Sequence, residues 1–417
     1  MDDSTGPAVL DEIRAEAAAL FAWLAGADGP GLAAAERVVR ERLLAAGARL
    51  LEAGLAARGP GQAGPRVPCG CGGAAGFEGY RPKAVQTLLG WVGVRRAYYA
   101  CPGCGRGRCP LDAALGLRRD GHSPGVRSLA ARFGALLPFA PAAATLAEAA
   151  GVRLSAGTVR AVTEAAGERR EQAATAEAER AWAAGLPPAA GAPPERLYVA
   201  MDGIRILGAD GEGREVKVGV VAPAGGRGER GAASYAAGLE PAAAFGRRLA
   251  LEAHRRGLEG AGAVAVLGDG AAWIWNLAGE HFPSATCIVD WYHASERVWD
   301  LGRVLFGAEA AQLAAEWRAL PCRGEAAAAR DEQATYFANQ APRMGYDAYR
   351  AAGWDIGSGV VEGACKHLIG AREKGPGMRW SDRGARSVAA VRVAHFNGRW
   401  DELWTAACPR RFLRAPQ

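Results

Sequence analysis

Two short apolar runs, each broken by an aspartate next to glycine, restrict this chain more than any other feature. In "LYVAMDGIRI", Leu197, Tyr198, Val199 and Met201 read as a buried strand, with Asp202 inside it and Gly203 leaving room for a second chain or a substrate backbone. In "AVAVLGDGAAWIW", Val264, Val266 and Leu267 form another strand, ended by Gly268, Asp269 and Gly270 before a helix that carries Trp273 and Trp275. A lone aspartate at a strand end commonly caps or turns the backbone, so neither residue alone argues for chemistry. Around them the pattern gives strands at 197–206, 215–223 and near 231–235, a helix from about 240 to 257, and a strand at 285–290. Hairpins followed by alternation of strand and helix suit a mixed sheet with helices on both faces.

A third acid stands in "GSGVVEGACKHLIGAREKGPGMRW", Gly357 to Trp380. Gly357, Ser358 and Gly359 make a turn, and from Val360 the residues Val361, Ala364, Cys365, Leu368 and Ile369 recur as the stripe of one helix face. Glu362 flanks that stripe near the helix N-terminus, where the dipole favours a carboxylate, and Lys366 follows one turn later. Glu362 is expected to face a cleft or water. If the strands pair side by side, Asp202, Asp269 and Glu362 meet at one end of the sheet. Like charges held together repel, so such a cluster implies hard cations that prefer oxygen, two magnesium or manganese ions. Beyond Glu362, Arg372, Lys374, Arg379 and Trp380 stand among glycines and, with Lys366, suit a phosphate-gripping surface; a solvated basic turn is the alternative.

The N-terminal half reads as separate modules. Residues 8–58 carry Leu10, Ile13, Ala17, Leu20 and Phe21, then Val38, Leu43, Leu44 and Leu51, at helical spacing, a pair of helices for packing or assembly with arginines on a solvated face. A linker at 59–68 leads into Cys69, Cys71, Cys101 and Cys104. Cys101-Pro-Gly-Cys104 is a thiolate knuckle preceded by the strand "VGVRRAYYAC", which reads as a zinc ribbon. The first pair has one intervening residue where a ribbon expects two, and Cys109 is a further candidate ligand. From 120 to 183 the chain is helical, with a stop at Gly151, a cap at Ser155 and a second helix from about Thr158 bearing Arg160, Arg169 and Arg170. This is helix-turn-helix-like, with two core helices and exposed arginines as the other reading.

The expected boundaries are therefore 1–60 helical, 61–118 zinc-ribbon-like, 119–183 helix-turn-helix-like and DNA-binding, 184–195 a Pro/Ala/Gly linker, and 196–417 the catalytic domain. A helical insertion at about 294–350 should bury Trp299, Leu301, Leu305, Leu313, Trp317 and Leu320. "VDWYHASERVWD" places Asp290 and His293 three apart at the carboxyl edge of a strand, either lining a cleft or capping the next helix. A net charge of +6 over 417 residues permits nucleic-acid binding through local patches. No apolar run approaches the length of a membrane span and the first residues are acidic, so a protein that is neither membrane-bound nor secreted is expected. Its nine cysteines then suit metal binding in a reducing cytoplasm.

Taken in order, "YRPKAVQTLLGWVGVRRAYYACPGCGRG", "LSAGTVRAVTEAAGERR", "MDG", "GDGAAWIW", "VDWYHASERVW" and the Glu362 block cover nearly the whole chain. In these blocks the sequence resembles the DDE transposases of ISKra-type bacterial insertion sequences, relatives of Mutator-like elements. The resemblance implies a multidomain α/β protein with a ribonuclease-H-like core. In it Asp202, Asp269 and Glu362 are the metal-binding catalytic triad, the insertion lies between Asp269 and Glu362, and Asp290 with His293 match the Asp-x-x-His signature of the Mutator-like relatives. It also implies binding of terminal inverted repeats, strand cleavage, and joining of the 3′ hydroxyl to target DNA by a homo-oligomer at the nucleoid. A stand-alone ribonuclease-H-like nuclease and a domesticated, non-catalytic DNA-binding protein are the alternatives.

Overall fold

A computed structural model describes residues 5–26, 29–186, 192–224, 233–306 and 325–404. Two compact units share them, the first made of the residues up to Val162 together with those from Glu402 on, and the second running from Thr163 to Asp401.

In the first unit α1 (Thr5–Ala25) and α2 (Leu32–Ala57) form the expected pair, tied by Arg42 and Arg49 to Glu16. Their apolar positions are less buried than the spacing suggests: Phe21 is 71% and Leu43 59% exposed. Two helices side by side can cover only one stripe each. Next comes an antiparallel sheet of β1 (Arg66–Pro68), β2 (Ala74–Thr87), β3 (Gly90–Ala100) and β4 (Gly107–Arg108), in that order. The short helix α3 (Pro110–Ala114) sets Leu111 against Val85, Val92 and Val94. Then follow α4 (Pro124–Leu136), α5 (Phe139–Ala150) and α6 (Ala156–Ala184). Gly151 ends α5 in the left-handed conformation, φ 68°, and the Ser155 hydroxyl accepts from the Thr158 N–H at 3.0 Å. The second helix is longer than a helix-turn-helix needs. From Thr163 onward it belongs to the second unit, where Arg383 pairs with its Glu168.

The second unit is built on a five-stranded mixed sheet of order β7-β6-β5-β8-β9. Its strands are β5 (Arg196–Leu207), β6 (Gly213–Pro223), β7 (Ser234–Gly238), β8 (Ala263–Gly268) and β9 (Thr286–Val289). The first three pair antiparallel, while β8 runs parallel to β5 and β9 parallel to β8. Leu197, Val199, Met201 and Val266 pack on Phe245 and Leu249 of α7 (Ala242–Arg255) and on Ile274 and Leu277 of α8 (Ala272–His281). Each such side chain stabilises by about 1.5–3 kcal/mol, and a one-residue slip would turn the whole set outward, so the register is fixed here. At the edge, the Asn397 amide completes β7 by accepting from the Tyr235 N–H at 2.8 Å and donating to its carbonyl at 2.9 Å.

The rest is helical: α9 (Trp291–Phe306), α10 (Glu325–Gln340), α11 (Tyr346–Ala351), α12 (Gly359–Ala364) and α13 (Asp382–Phe396). Residues 307–324, with Leu313, Trp317 and Leu320, lie outside the described residues, as do the side chains of Leu301 and Leu305, linker residues 187–191 and residues 405–417. Trp299 is not a core residue but 55% exposed. The buried side of α9 carries Ala294, and Trp299 sits five residues on, about 140° round the helix.

Candidate functional site

The parallel register aligns Ala200 with Leu267, and Gly268 with Val289. Carried on by one or two residues, it brings Asp202, inside β5, into line with Asp269 and Asp290, which stand just past the ends of β8 and β9, strands about 4.8 Å apart. Three neighbouring acids would repel, but one is already spent on backbone. Asp290 is 1% exposed, and its carboxylate accepts from the N–H groups of Tyr292 (3.3 Å), His293 (3.2 Å) and Ser358 (3.0 Å). Trp291 N–H also donates to the Ile356 carbonyl at 2.9 Å. Gly357 lies against the Tyr292 ring, where a Cβ would come within 2.8 Å. Asp290 therefore does not line a cleft: it caps α9 and pins the turn that leads into the Glu362 helix. Asp290→Ala would strand the buried Ser358 N–H at about 1–3 kcal/mol and take the cap from the part-buried Tyr292 and His293 N–H groups at about 0.5–2 kcal/mol, so a loss of about 2 kcal/mol or more in denaturant unfolding is expected. Unchanged stability would show that the clamp does not hold.

From that turn the chain enters α12, with the Ser358 carbonyl accepting from Val361 and Glu362 N–H groups. The Ser358 hydroxyl donates to Glu362 at 3.4 Å, and Lys366 lies 3.5 Å from the same carboxylate, both charges largely in water and the pair correspondingly weak. The sequence pattern predicts one regular helix, but residues Cys365–Gly370 widen into a π turn. Carbonyls loosened by that turn are claimed by Arg392 of α13, which donates to those of His367 and Leu368. The predicted stripe Val361, Ala364, Cys365, Leu368 and Ile369 is buried throughout.

Cys365 links the helix to the sheet, its thiol donating to Asp202 Oδ2 at 3.4 Å, while Gly203 N–H donates to Oδ1 at 2.6 Å. Burial pushes the Asp202 carboxyl above its ordinary value. The hydrogen bonds from Cys365 and Gly203 oppose this, the charge of Asp269 adds to it, and His293 is near enough to pull the other way. Burial pushes the Cys365 thiol up too, and the charges of Asp202, Glu362 and Asp269 all add to the shift. Of the three predicted acids only Asp202 touches the thiol; Asp269 and Glu362 act on it through their charge, and the three carboxylates are not drawn as close together as the sulfurs of Cys69, Cys71, Cys101 and Cys104. Asp269 accepts from the Ala271 N–H at 2.9 Å, and its loop is held from α10: the Tyr336 hydroxyl donates to the Asp269 carbonyl at 2.9 Å and the Gln340 amide to that of Gly270 at 3.0 Å. Gly270, at φ 103°, could carry no side chain here, since a Cβ would lie 2.7 Å from the Tyr336 ring. What comes close at Gly203 is the Glu215 side chain, not a second backbone. Cys365, Ser358, Tyr336 and Gln340 were not legible as site residues.

The first unit holds a different donor set. Cys69, Cys71, Cys101 and Cys104 place their sulfurs within 4.8 Å of one another, and among the described residues theirs is the only such group of three or more His, Cys, Asp or Glu. Cys69 lies 3.6 Å from Cys104 and Cys71 3.7 Å from Cys101, close to the edge of about 3.8 Å of a tetrahedron with Zn–S bonds of about 2.3 Å. The short Cys69-Gly-Cys71 spacing works because Gly72, at φ 87°, turns its N–H back to the Cys69 carbonyl at 3.0 Å. The N–H of Cys71 and the neighbouring thiols draw Cys69 down to about 7. The Arg106 N–H pulls Cys104 down, yet burial and the shared thiol protons push it up to about 11. Cys109 stays outside the quartet.

No known family model matches the chain, and no curated protein does. Among the described residues, no helix is long and apolar enough to cross a membrane.

Of the side chains expected at DNA, Lys366, Lys374 and Arg379 are exposed in the second unit and Arg160 in the first. Arg372 and Trp380 are corrected: they are 1% and 7% exposed. Trp380 is drawn in because its backbone pairs with the β5–β6 turn, donating to the Leu207 carbonyl at 3.0 Å and accepting from Ala209 at 2.7 Å. Its indole N–H donates to the Glu373 carbonyl at 3.0 Å, and Arg372 lies 5.0 Å over its ring. Burial lowers Arg372 to about 10 and raises the neighbouring Glu373 to about 8. The pair anchors the loop from inside while Lys374 and Arg379 face outward.

Proposed function

We propose that this chain is a DDE-type DNA transposase with a ribonuclease-H-like core. It binds the terminal inverted repeats of its element, cuts a strand and joins the freed 3′ hydroxyl to target DNA. The observation that carries this reading is the alignment of Asp202 with Asp269 where the parallel pairing of β5 and β8 ends, the place where open α/β sheets take their ligands, beside the Glu362 helix whose Cys365 thiol donates to Asp202. The donor set suits magnesium or manganese, being all carboxylate, and Asp202 already bears the strain of burial beside a like charge. Asp202, Asp269 and Glu362 would hold two such ions, which when bound supply an activated oxygen and charge neutralisation for phosphodiester chemistry. The protein's own part is placement. Cys365 orients Asp202, Tyr336 and Gln340 fix the Asp269 loop, and Asp290 sets the entry of the Glu362 helix. Lys366, Lys374 and Arg379 offer cations for phosphates nearby, and the cysteine quartet would hold a structural zinc ion.

The test is a cleavage assay with the purified protein, magnesium, and DNA carrying the short inverted repeats that flank its gene. Nicking at the repeat end followed by joining to a second duplex is the expected result. Nicking without joining would favour a nuclease, and no cleavage with either metal would overturn the reading.

A further inference from the structure

The helices α1 and α2 are 21 and 26 residues long, yet among their described side chains only Ala48 is fully buried, against the sheet valines Val85, Val92 and Val94. The ion pairs of Glu16 with Arg42 and Arg49, and of Glu12 with Arg49, mark the sides on which the two helices meet. On α1, Leu10, Ala17, Phe21 and Leu24 stand seven, four and three residues apart, one stripe about 100° round the helix from Glu16. On α2, Leu32, Val39, Leu43 and Leu50 stand seven, four and seven apart, a stripe about as far round from Arg42 and Arg49 in the same sense. Because the helices run antiparallel, equal rotations turn both stripes to one side of the hairpin. The ion pairs also set the levels, with Leu10 beside Leu50, Ala17 beside Leu43 and Phe21 beside Val39.

The six larger members, Leu10, Phe21, Leu24, Leu32, Leu43 and Leu50, are 38–76% exposed. They leave about 600 Å² of apolar surface on one face, the top of the range of about 300–600 Å² that the largest patch of a monomer reaches. Two such faces pressed together bury about 1,200 Å², enough for a specific interface. Long helices with no buried face are not held by propensity alone, and an apolar seam recurring every seven and four residues is the one that packs helix on helix in bundles. We propose that this face is a homodimer interface, the hairpins of two chains closing on each other as a four-helix bundle about a twofold axis. A second copy fits because its matching face is equally long and equally apolar, while Arg14 and Glu36 stand at the outer margins as a polar rim. A homo-oligomer is what the resemblance implies; the surface follows from exposure and spacing alone, so it stands whether or not the chain cuts DNA.

Full-length protein purified with zinc is weighed by light scattering and sedimentation equilibrium between about 1 and 50 μM. The parent should have twice the 43.3 kDa mass of the chain. Phe21→Glu/Leu43→Glu charges both stripes at positions that are in water in the single chain, so helix content and zinc should match the parent while the dimer dissociation constant rises about a hundredfold or more. Trp91→Glu, as exposed but on β3, should leave the dimer intact. If the double variant unfolds, Leu32→Glu in the first turn of α2 decides the matter, with an expected rise of about tenfold or more. A parent at the single-chain mass throughout, stripe variants that dimerise like the parent, or a Trp91→Glu protein that dissociates as fully as they do would overturn the proposal.

Discussion

Glu362→Gln should reduce strand cleavage and joining by about three orders of magnitude or more while leaving DNA affinity within about twofold of the parent. The amide keeps the side chain's shape and can still take the Ser358 hydroxyl, which donates to Glu362 at 3.4 Å. Its loss of charge frees Lys366, but that pair is largely in water and contributes little to stability. The helix around it is fixed by other means, through Val361, Ala364 and Leu368 in the core and through the Asp290 clamp on Ser358. Thermal unfolding should therefore barely move, and a loss of activity can be read as a loss of cation affinity. A salt titration of DNA binding beside a magnesium titration of cleavage separates the two. Cleavage by the glutamine variant at the parental rate would remove Glu362 from the chemistry.

The parts of this site that the sequence announced are those set by neighbours in the chain. Each apolar run of the sheet gave its strand within a few residues, and the helix stripe after Glu362 is buried at every position named. Alternation and 3.6-residue spacing are local properties, so they survive without knowledge of the fold. What was hidden depends on segments far apart. Asp269 and Asp290 look alike as strand-end aspartates, and only the return of Ser358, 68 residues on, makes one of them a clamp. Trp380 and Arg372 stand among glycines like an exposed basic loop, yet the backbone bonds to Leu207 and Ala209 draw them inside. The π turn escaped because six residues are too few to distinguish its period from that of an α-helix. Tyr336 and Gln340 carry no motif at all; their hold on the Asp269 loop exists only once α10 is in place.

Cys104→Ser should cost the protein its zinc and, with it, the order of the ribbon. The apolar cluster next to the quartet is small, Val67, Ala75, Ala97 and Tyr99 with Cys101, and two of its members are alanines. Side chains of this size stabilise by at most about 1.5–3 kcal/mol each, whereas a structural zinc site contributes about 10–16 kcal/mol of apparent binding free energy. With zinc bound, the metal rather than apolar burial would hold β1 and the Cys101–Cys104 turn together. A serine hydroxyl stays protonated at neutral pH and is a poor ligand beside a thiolate, so one substitution suffices to break the tetrahedron. Metal analysis should find about one zinc per parental chain and almost none in the variant, with new protease cuts confined to residues 61–118. Cys109→Ser is the matched control, since that thiol lies outside the quartet and its loss should leave the zinc in place. A parental protein that is well folded without zinc would refute the metal site. A Cys104→Ser protein that keeps its zinc while Cys109→Ser loses it would move the fourth ligand to Cys109.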